Sequence, residues 1–167
     1  MSATDELVHK MFAPMFRLLE GCLEAYDNPK FRQNPPDPTT HCNQAVAFIT
    51  NYAKNYVALN GKNANEIYDF LSTSEDWREI PLSPAEDVQE LANQGRLIIA
   101  VVKGNPHGHC CVIRPGLKKT SPKWGCEVPA VVNIGPAAYT RISMGLSMAY
   151  QPDNKPRLFL LKETDLA

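Results

Sequence analysis

The chain has 167 residues, of which 44% are hydrophobic, and this size fits a single domain over residues 1–167 with a sizeable core. Its 17 basic and 18 acidic residues nearly cancel, which argues against a basic surface for nucleic acid and a cationic face for a membrane surface. The longest apolar run, Leu97 to Val102, is far too short to span a bilayer. We therefore expect neither a nucleic-acid partner nor membrane insertion.

The N-terminal half has the pattern of helices. Apolar side chains recur three or four positions apart between residues 5 and 26, which predicts an amphipathic helix that Pro14 either kinks or divides in two. The prolines between residues 28 and 40 predict a loop. A second helix is expected to follow, with Thr39 or Thr40 as its N-cap and a buried stripe on one face.

Two more helices are marked by their caps. Asn63 and Glu66 have the spacing of a capping box and precede an apolar run. The signals of the fourth helix are Ser83 as the N-cap, Pro84 at the first helical position, Glu86 completing a capping box and Gly95 as the stop. The chain is therefore expected to form four helices before its first strand.

In the C-terminal half the pattern changes to short runs rich in β-branched residues. The first two runs, 96–102 and 109–114, are joined by a turn segment and predict an antiparallel pair. Further strand candidates are 128–135 and 157–163, whereas 137–150 fits no single pattern. Helices followed by a strand meander predict an α+β fold.

Three residues on these elements have the order of a thiol hydrolase. Cys42 is predicted at a helix N-terminus, where unpaired N–H groups and the helix dipole lower the pKa of a thiol. A thiol nucleophile needs a base, and His109 begins a strand that could pack on this helix. Asn133, on the following strand candidate, could hold the imidazole through its other nitrogen. Cys42, His109 and Asn133 are therefore the candidate catalytic residues.

The remaining cysteines have plainer interpretations. The chain has five cysteines, so at least one thiol is free unless an intermolecular bridge forms. Cysteine is among the most buried residue types, and we expect the other four to lie in the core. These four are Cys22, Cys110, Cys111 and Cys126. A disulfide between two of them stays open, because sequence does not fix connectivity.

Zinc binding is the main alternative for the segment that contains His107, His109, Cys110 and Cys111. Successive residues on a strand point to opposite faces, so Cys110 and Cys111 cannot easily share one ion. Alternation puts His109 with Cys111 on one face and Cys110 on the other. A structural zinc site also usually shows a C-x-x-C pair, which this chain lacks. We therefore expect no metal and no cofactor.

Two segments of the chain are similar to a known family. THCNQAVAFI at residues 40–49 and ANQGRLIIAVVKGNPHGHCCVIRPG at residues 92–116 resemble the NlpC-type branch of the papain-like cysteine peptidases. Within that branch they most resemble the type VI secretion amidase effectors, which share a Cys-Asn or Cys-Ser pair at a helix start. In those proteins a glycine precedes the catalytic histidine, and here Gly108 precedes His109. Cys110 stands where that family usually has valine, and no motif marks the third catalytic position.

The resemblance implies a papain-like fold, with the catalytic cysteine at a helix start packed on a small antiparallel sheet. It implies a peptidoglycan amidase or endopeptidase that cuts the stem peptide at the D-glutamate to diaminopimelate amide. It also implies an antibacterial effector that is made in the bacterial cytoplasm, acts in the periplasm of a target cell and is blocked by a cognate immunity protein. The N-terminus lacks the layout of a secretory signal, so we expect export without a cleavable leader.

Rival activities and the substrate contacts stay open at this point. A papain-like deamidase or transferase that acts on a protein substrate would use the same dyad, and an inactive binding module could keep the same fold. We name His41, Asn43 and His107 as candidate substrate-binding residues. The backbone N–H of Cys42 is the expected oxyanion donor. The candidates for a second donor are Gln33, Asn34 and His41.

Overall fold

The computed structural model describes residues 1–32, 41–82, 86–136 and 139–163. N-terminal helices pack against a six-stranded antiparallel sheet, beside a small two-stranded hairpin, which confirms the predicted α+β class. The helices are α1 (Ala3–Asp27), α2 (Cys42–Lys54), α3 (Ala64–Thr73), α4 (Val88–Asn93) and α5 (Leu146–Ala149). The strands are β1 (Trp77–Ile80), β2 (Ile98–Val102), β3 (His109–Ile113), β4 (Lys119–Ser121), β5 (Cys126–Val128), β6 (Ala130–Asn133), β7 (Arg141–Gly145) and β8 (Arg157–Leu161).

The sheet has the strand order β1-β8-β2-β3-β6-β7, and every neighbouring pair is antiparallel. The predicted pairing of β2 with β3 is confirmed, with Val102 opposite His109. The simple meander is wrong, because the last strand returns to lie between β1 and β2. β4 and β5 form the separate hairpin between β3 and β6. The ambiguous stretch 137–150 contributes β7 and the short helix α5.

One long helix forms the N-terminal element. Ser2 and Asp5 cap it with a capping box. The helix continues through Pro14, so of the two predicted alternatives the division into two helices does not occur. A proline removes one backbone hydrogen bond, and a helix of 25 residues keeps the others. The backbone at Pro14 packs against Gly95, where an added Cβ would come within 2.4 Å of a Pro14 backbone atom.

The capping predictions have mixed outcomes. The box at Asn63 is confirmed, because its side chain accepts from the backbone N–H of Glu66 at 2.9 Å. The predicted start of the fourth helix is wrong, since α4 begins at Val88 with Asp87 as its N-cap. The carboxylate of Glu86 accepts two hydrogen bonds from the guanidinium of Arg78 and does not complete a capping box. The predicted cap Ser83 and first-turn residue Pro84 lie outside the described residues, whereas Gly95 ends the helix as expected with φ of +81°.

The sheet separates two hydrophobic cores. On one face, α1, α2 and α3 cover the inner residues of the strands, including Cys110 and Val112. On the other face, α4, α5 and part of the hairpin cover Cys111 and Ile113. Alternation is confirmed from Cys110 to Ile113, and the residue that faces the core under α2 is Cys110.

Candidate active site

Cys42 is the first residue of α2. The N-cap is His41, whose side chain makes no capping hydrogen bond, so the predicted threonine cap is wrong for this helix. Thr39 and Thr40 themselves lie outside the described residues. A helix start without a side-chain cap leaves backbone N–H groups for other anionic partners. The side chain of Cys42 is only 4% exposed and belongs to the core beneath the helices.

His109 is the first residue of β3, and the preceding turn is fixed tightly against α3. The side-chain amide of Asn65 donates to the carbonyl of Gly104 at 2.9 Å and accepts from the Gly104 N–H at 3.1 Å. Gly108 packs closely against the end of β2, because an added Cβ would come within 2.3 Å of the Val102 carbonyl oxygen. Close packing on both sides of the turn therefore sets where His109 begins the strand.

Asn133 fixes the orientation of the imidazole. Nε2 of His109 lies 2.6 Å from Oδ1 of Asn133, at the end of the neighbouring strand β6. The other end of the amide donates to the carbonyl of Tyr139 at 2.8 Å, which identifies Oδ1 as the acceptor towards the ring. The N–H at Nε2 therefore donates to Asn133, and Nδ1 is the nitrogen left for the thiol. Asn133 is 2% exposed, so water does not compete for this bond.

The thiol of Cys42 is surrounded by groups that stabilise its anion. The largest influence is the hydrogen bond with the thiol of Cys110, which lowers the pKa of Cys42. Burial raises that pKa, while the hydrogen bond and charge of His109 and the backbone N–H of Cys110 lower it again. The net pKa of Cys42 lies well below its ordinary value. These contacts therefore favour the thiolate form of Cys42.

The surroundings of His109 favour its protonated form. Burial lowers its pKa, because an apolar site disfavours the imidazolium. The hydrogen bond and negative charge of Cys42 and the hydrogen bond to Asn133 raise the pKa by more, so it lies above the ordinary value of histidine. A thiolate and an imidazolium in contact form a nucleophile and a general acid that are both ready before substrate binds.

Two residues that sequence reasoning did not select complete this site. Cys110 lies in the same core as Cys42 and lowers its pKa, whereas Cys111 faces the opposite core. The ring centre of Tyr150 lies 5.4 Å from that of His109, and its hydroxyl donates to the carbonyl of Ala100 at 2.8 Å. The available signal for Cys110 was its place beside the candidate catalytic residue His109. Tyr150 is the last residue of the ambiguous stretch 137–150 and gave no signal.

The three candidate substrate-binding residues have different surroundings. His41 is half-buried next to Cys42, and its Nδ1 atom is buried without a hydrogen-bond partner among the described residues. The side chain of Asn43 donates to the carbonyl of Lys62 at 2.9 Å, so its amide N–H holds the chain that precedes α3. His107 is exposed in the turn before β3. Of the three, His41 alone combines closeness to the thiol with an unused polar atom.

Further findings on the described residues concern disulfides, metal binding and membrane-spanning helices. All five cysteines are free thiols in the structure, so none of the disulfide pairings left open by the sequence is formed. Within residues 1–32, 41–82, 86–136 and 139–163, no group of three His, Cys, Asp or Glu side chains is arranged to hold a metal ion. No helix in those same ranges is long and apolar enough to cross a membrane.

Comparison with known proteins does not identify the chain. No protein-family model matches it, and no curated protein is significantly similar to it. The features of the chain that bear on its function are therefore the geometry at Cys42 and the two segments, 40–49 and 92–116, that resemble amidase effectors.

Proposed function

We propose that this protein is a papain-like cysteine hydrolase that cuts an amide in the stem peptide of peptidoglycan. The observation that carries the proposal is the pairing of the buried Cys42 thiol, at a helix start, with the His109 imidazole, which Asn133 orients. The same three residue types perform amide hydrolysis in papain-like proteases. Cys42 is the proposed nucleophile, His109 the general acid and base, and Asn133 the residue that orients the imidazole.

In the proposed reaction, the thiolate of Cys42 attacks the amide carbonyl and forms a tetrahedral oxyanion. The backbone N–H of Cys42 lies at the start of α2, where helix N–H groups stabilise negative charge. His41 is the second donor that the surroundings favour, because its buried Nδ1 lacks a partner within the described chain. The other two candidates, Gln33 and Asn34, lie outside the described residues. His109 then protonates the leaving amine, and water hydrolyses the thioester.

The choice of substrate rests on the resemblance of residues 40–49 and 92–116 to type VI secretion amidase effectors. In this proposal the protein cuts the D-glutamate to diaminopimelate amide. It is made in a bacterial cytoplasm and acts in the periplasm of a target cell. A cognate immunity protein would bind over the cleft in the producing cell. The proposal includes no cofactor.

Digestion of purified peptidoglycan tests the reaction. The wild-type protein is expected to release muropeptides whose masses show a cut after D-glutamate, and Cys42→Ala is expected to release none while keeping its circular dichroism spectrum. Cys126→Ser is the matched control, since Cys126 is exposed on β5 and lies outside the core that contains Cys42. Intact muropeptides after wild-type treatment, together with deamidation of a glutamine on a protein substrate, would favour the rival deamidase. Wild-type turnover by Cys42→Ala would exclude a cysteine hydrolase.

A further inference from the structure

A second thiol lies in contact with the proposed nucleophile. Cys110 is the second residue of β3, and it faces the core that α2 covers. Cys42 and Cys110 belong to the same buried core, at the place where α2 packs on β3. Hydrogen bonding by the thiol and the backbone N–H of Cys110 is among the influences that lower the pKa of Cys42. Both sulfurs are therefore on the same side of the sheet, at a spacing set by the packing of a helix start on a strand.

The other cysteines do not compete for this contact. Cys22 lies in α1 at 0% exposure, and Cys111 faces the opposite core with its sulfur 3.5 Å from the hydroxyl of Tyr150. Cys126 is exposed on β5. The pair formed by Cys42 and Cys110 is thus distinct among the five thiols, and it consists of one activated and one neutral sulfur.

We propose that Cys42 and Cys110 form a reversible disulfide that inactivates the enzyme when a hydroperoxide reaches the site. The inference rests on the proposed function only in that Cys42 is taken as the nucleophile whose loss stops hydrolysis. Burial of both thiols restricts access to small oxidants, of which hydrogen peroxide is the simplest. The disulfide protects Cys42 from further oxidation, because sulfinic acid formation is not reversed by simple thiols.

The chemistry balances in two steps. The thiolate of Cys42 attacks one oxygen of hydrogen peroxide, the O–O bond breaks, and the second oxygen leaves as hydroxide, so sulfur loses two electrons and becomes a sulfenic acid. The sulfur of Cys110 then attacks the sulfur of Cys42, the S–O bond breaks, and hydroxide takes the Cys110 proton and leaves as water. A dithiol reductant reverses the bridge by thiol–disulfide exchange, with its own oxidation to a disulfide.

The two partners are suited to these roles. Cys42 reacts first because it is the thiolate, and thiolates are the species that peroxides oxidise. The hydrogen bond to Cys42, followed by burial, raises the pKa of Cys110 well above its ordinary value, so Cys110 keeps its proton until the sulfenic acid forms. Cys110 also occupies the position where the resembled family usually has valine. A valine there would pack equally well but could not close a bridge.

Thiol mapping after oxidation tests the inference without any assay of activity. The full-length reduced protein is treated with a small excess of hydrogen peroxide, alkylated and digested, and its peptides are identified by mass spectrometry. The expected product is a peptide pair joined through Cys42 and Cys110, which dithiothreitol separates with recovery of two alkylatable thiols. Cys126→Ser is the matched control and is expected to form the same bridge. Irreversible oxygen addition at Cys42 in the wild-type protein, with Cys110 still free, would overturn the inference.

Replacement of Cys110 separates the bridge from general damage. In Cys110→Val, peroxide is expected to oxidise Cys42 to sulfinic acid, with no recovery by dithiothreitol, and Cys110→Ser provides the same test if the valine variant does not fold. A peroxide response in either variant that dithiothreitol fully reverses would overturn the inference. The peptidoglycan assay is run in parallel, and wild-type hydrolysis is expected to fall by more than tenfold on oxidation and return on reduction. A bridge without any hydrolysis before oxidation would contradict the proposed function and leave the disulfide standing.

Discussion

The shifted pKa values of Cys42 and His109 predict the working pH of the proposed active site. The thiolate is present only above the lowered pKa of Cys42, and the imidazolium is present only below the raised pKa of His109. Activity is therefore expected to fall on the acid side as Cys42 gains a proton and on the basic side as His109 loses one. A plot of kcat/KM against pH should be bell-shaped, with an acid limb far below 9.0 and a basic limb above 6.5.

Alkylation provides a direct check of the acid limb. The rate of iodoacetamide reaction at Cys42 should follow the same rise with pH, measured by peptide mass spectrometry so that other cysteines do not interfere. An unfolded sample is the control and should react with an ordinary thiol profile. A folded-state rate that rises only near pH 9.0, the ordinary thiol pKa, would contradict the ion pair.

Asn133 acts on the reaction through the orientation of His109. Asn133→Ala removes the acceptor for Nε2, and we expect kcat to fall about a hundredfold, within the range attributed to a positioned acid–base group. Asn133→Asp keeps an acceptor and should retain much more activity, with the basic limb of the pH profile moved to higher pH by the added negative charge. Muropeptide release gives kcat and KM. Equal losses in both variants, or a loss confined to KM, would argue against an orienting role.

The turn between β2 and β3 is the element that aims His109. In Gly108→Ala the new Cβ would come within 2.3 Å of the Val102 carbonyl oxygen and 2.6 Å of Oδ1 of Asn65. The turn must move away from α3, so we expect kcat to fall at least tenfold and the free energy of unfolding to drop by about 1–3 kcal/mol. Urea denaturation and the peptidoglycan assay measure the two effects.

Gly61→Ala is a control for this turn variant, because nothing lies within 4 Å of its added Cβ. Its positive φ of +78° makes alanine strained, at a cost of about 1 kcal/mol. Stability should therefore fall in both variants, whereas kcat should fall only in Gly108→Ala. Unchanged kcat in Gly108→Ala would mean that the position of His109 does not depend on the turn.

Local signals were sufficient for the elements that depend on neighbours in sequence. The capping box at Asn63 and the stop at Gly95 could be predicted because each involves contacts within a few residues. The start of α4 could not, since Glu86 is paired with Arg78 of β1 and leaves Asp87 to cap. Strand β1 itself, with only its two end residues buried, has no alternation to detect.

The residues of the candidate site could be predicted, but not which face of the sheet the helices cover. Alternation separates Cys110 from Cys111, but the strand alone does not show which side the helices cover. That side depends on the packing of α2 on β3, which joins residues distant in sequence. His109 also departs from strict alternation, because it is the first residue of the strand and its ring contacts both Cys42 and the ring of Tyr150.

At the scale of the whole molecule, Tyr150 connects the two faces of the sheet. Its ring belongs to the core on the side opposite α2, and its hydroxyl reaches the Ala100 carbonyl of β2. Its ring also packs against His109, so the far core supports the residue that the near core uses for chemistry. Such support explains how a site built from α2, β3 and β6 can depend on a residue after β7.

This connection predicts a small and specific effect of removing one hydroxyl. Tyr150→Phe keeps the ring against His109 but loses the hydrogen bond to Ala100, so the free energy of unfolding should fall by about 1 kcal/mol. For a domain of this size that loss corresponds to about 2–4 °C in Tm, measurable by calorimetry. The pH limits of activity should stay in place, because the ring and the ion pair remain. Tyr139→Phe is the matched control, since the Tyr139 side chain is exposed, and it should leave Tm unchanged. A shift of the basic limb in Tyr150→Phe would instead mean that the hydroxyl takes part in the titration of His109.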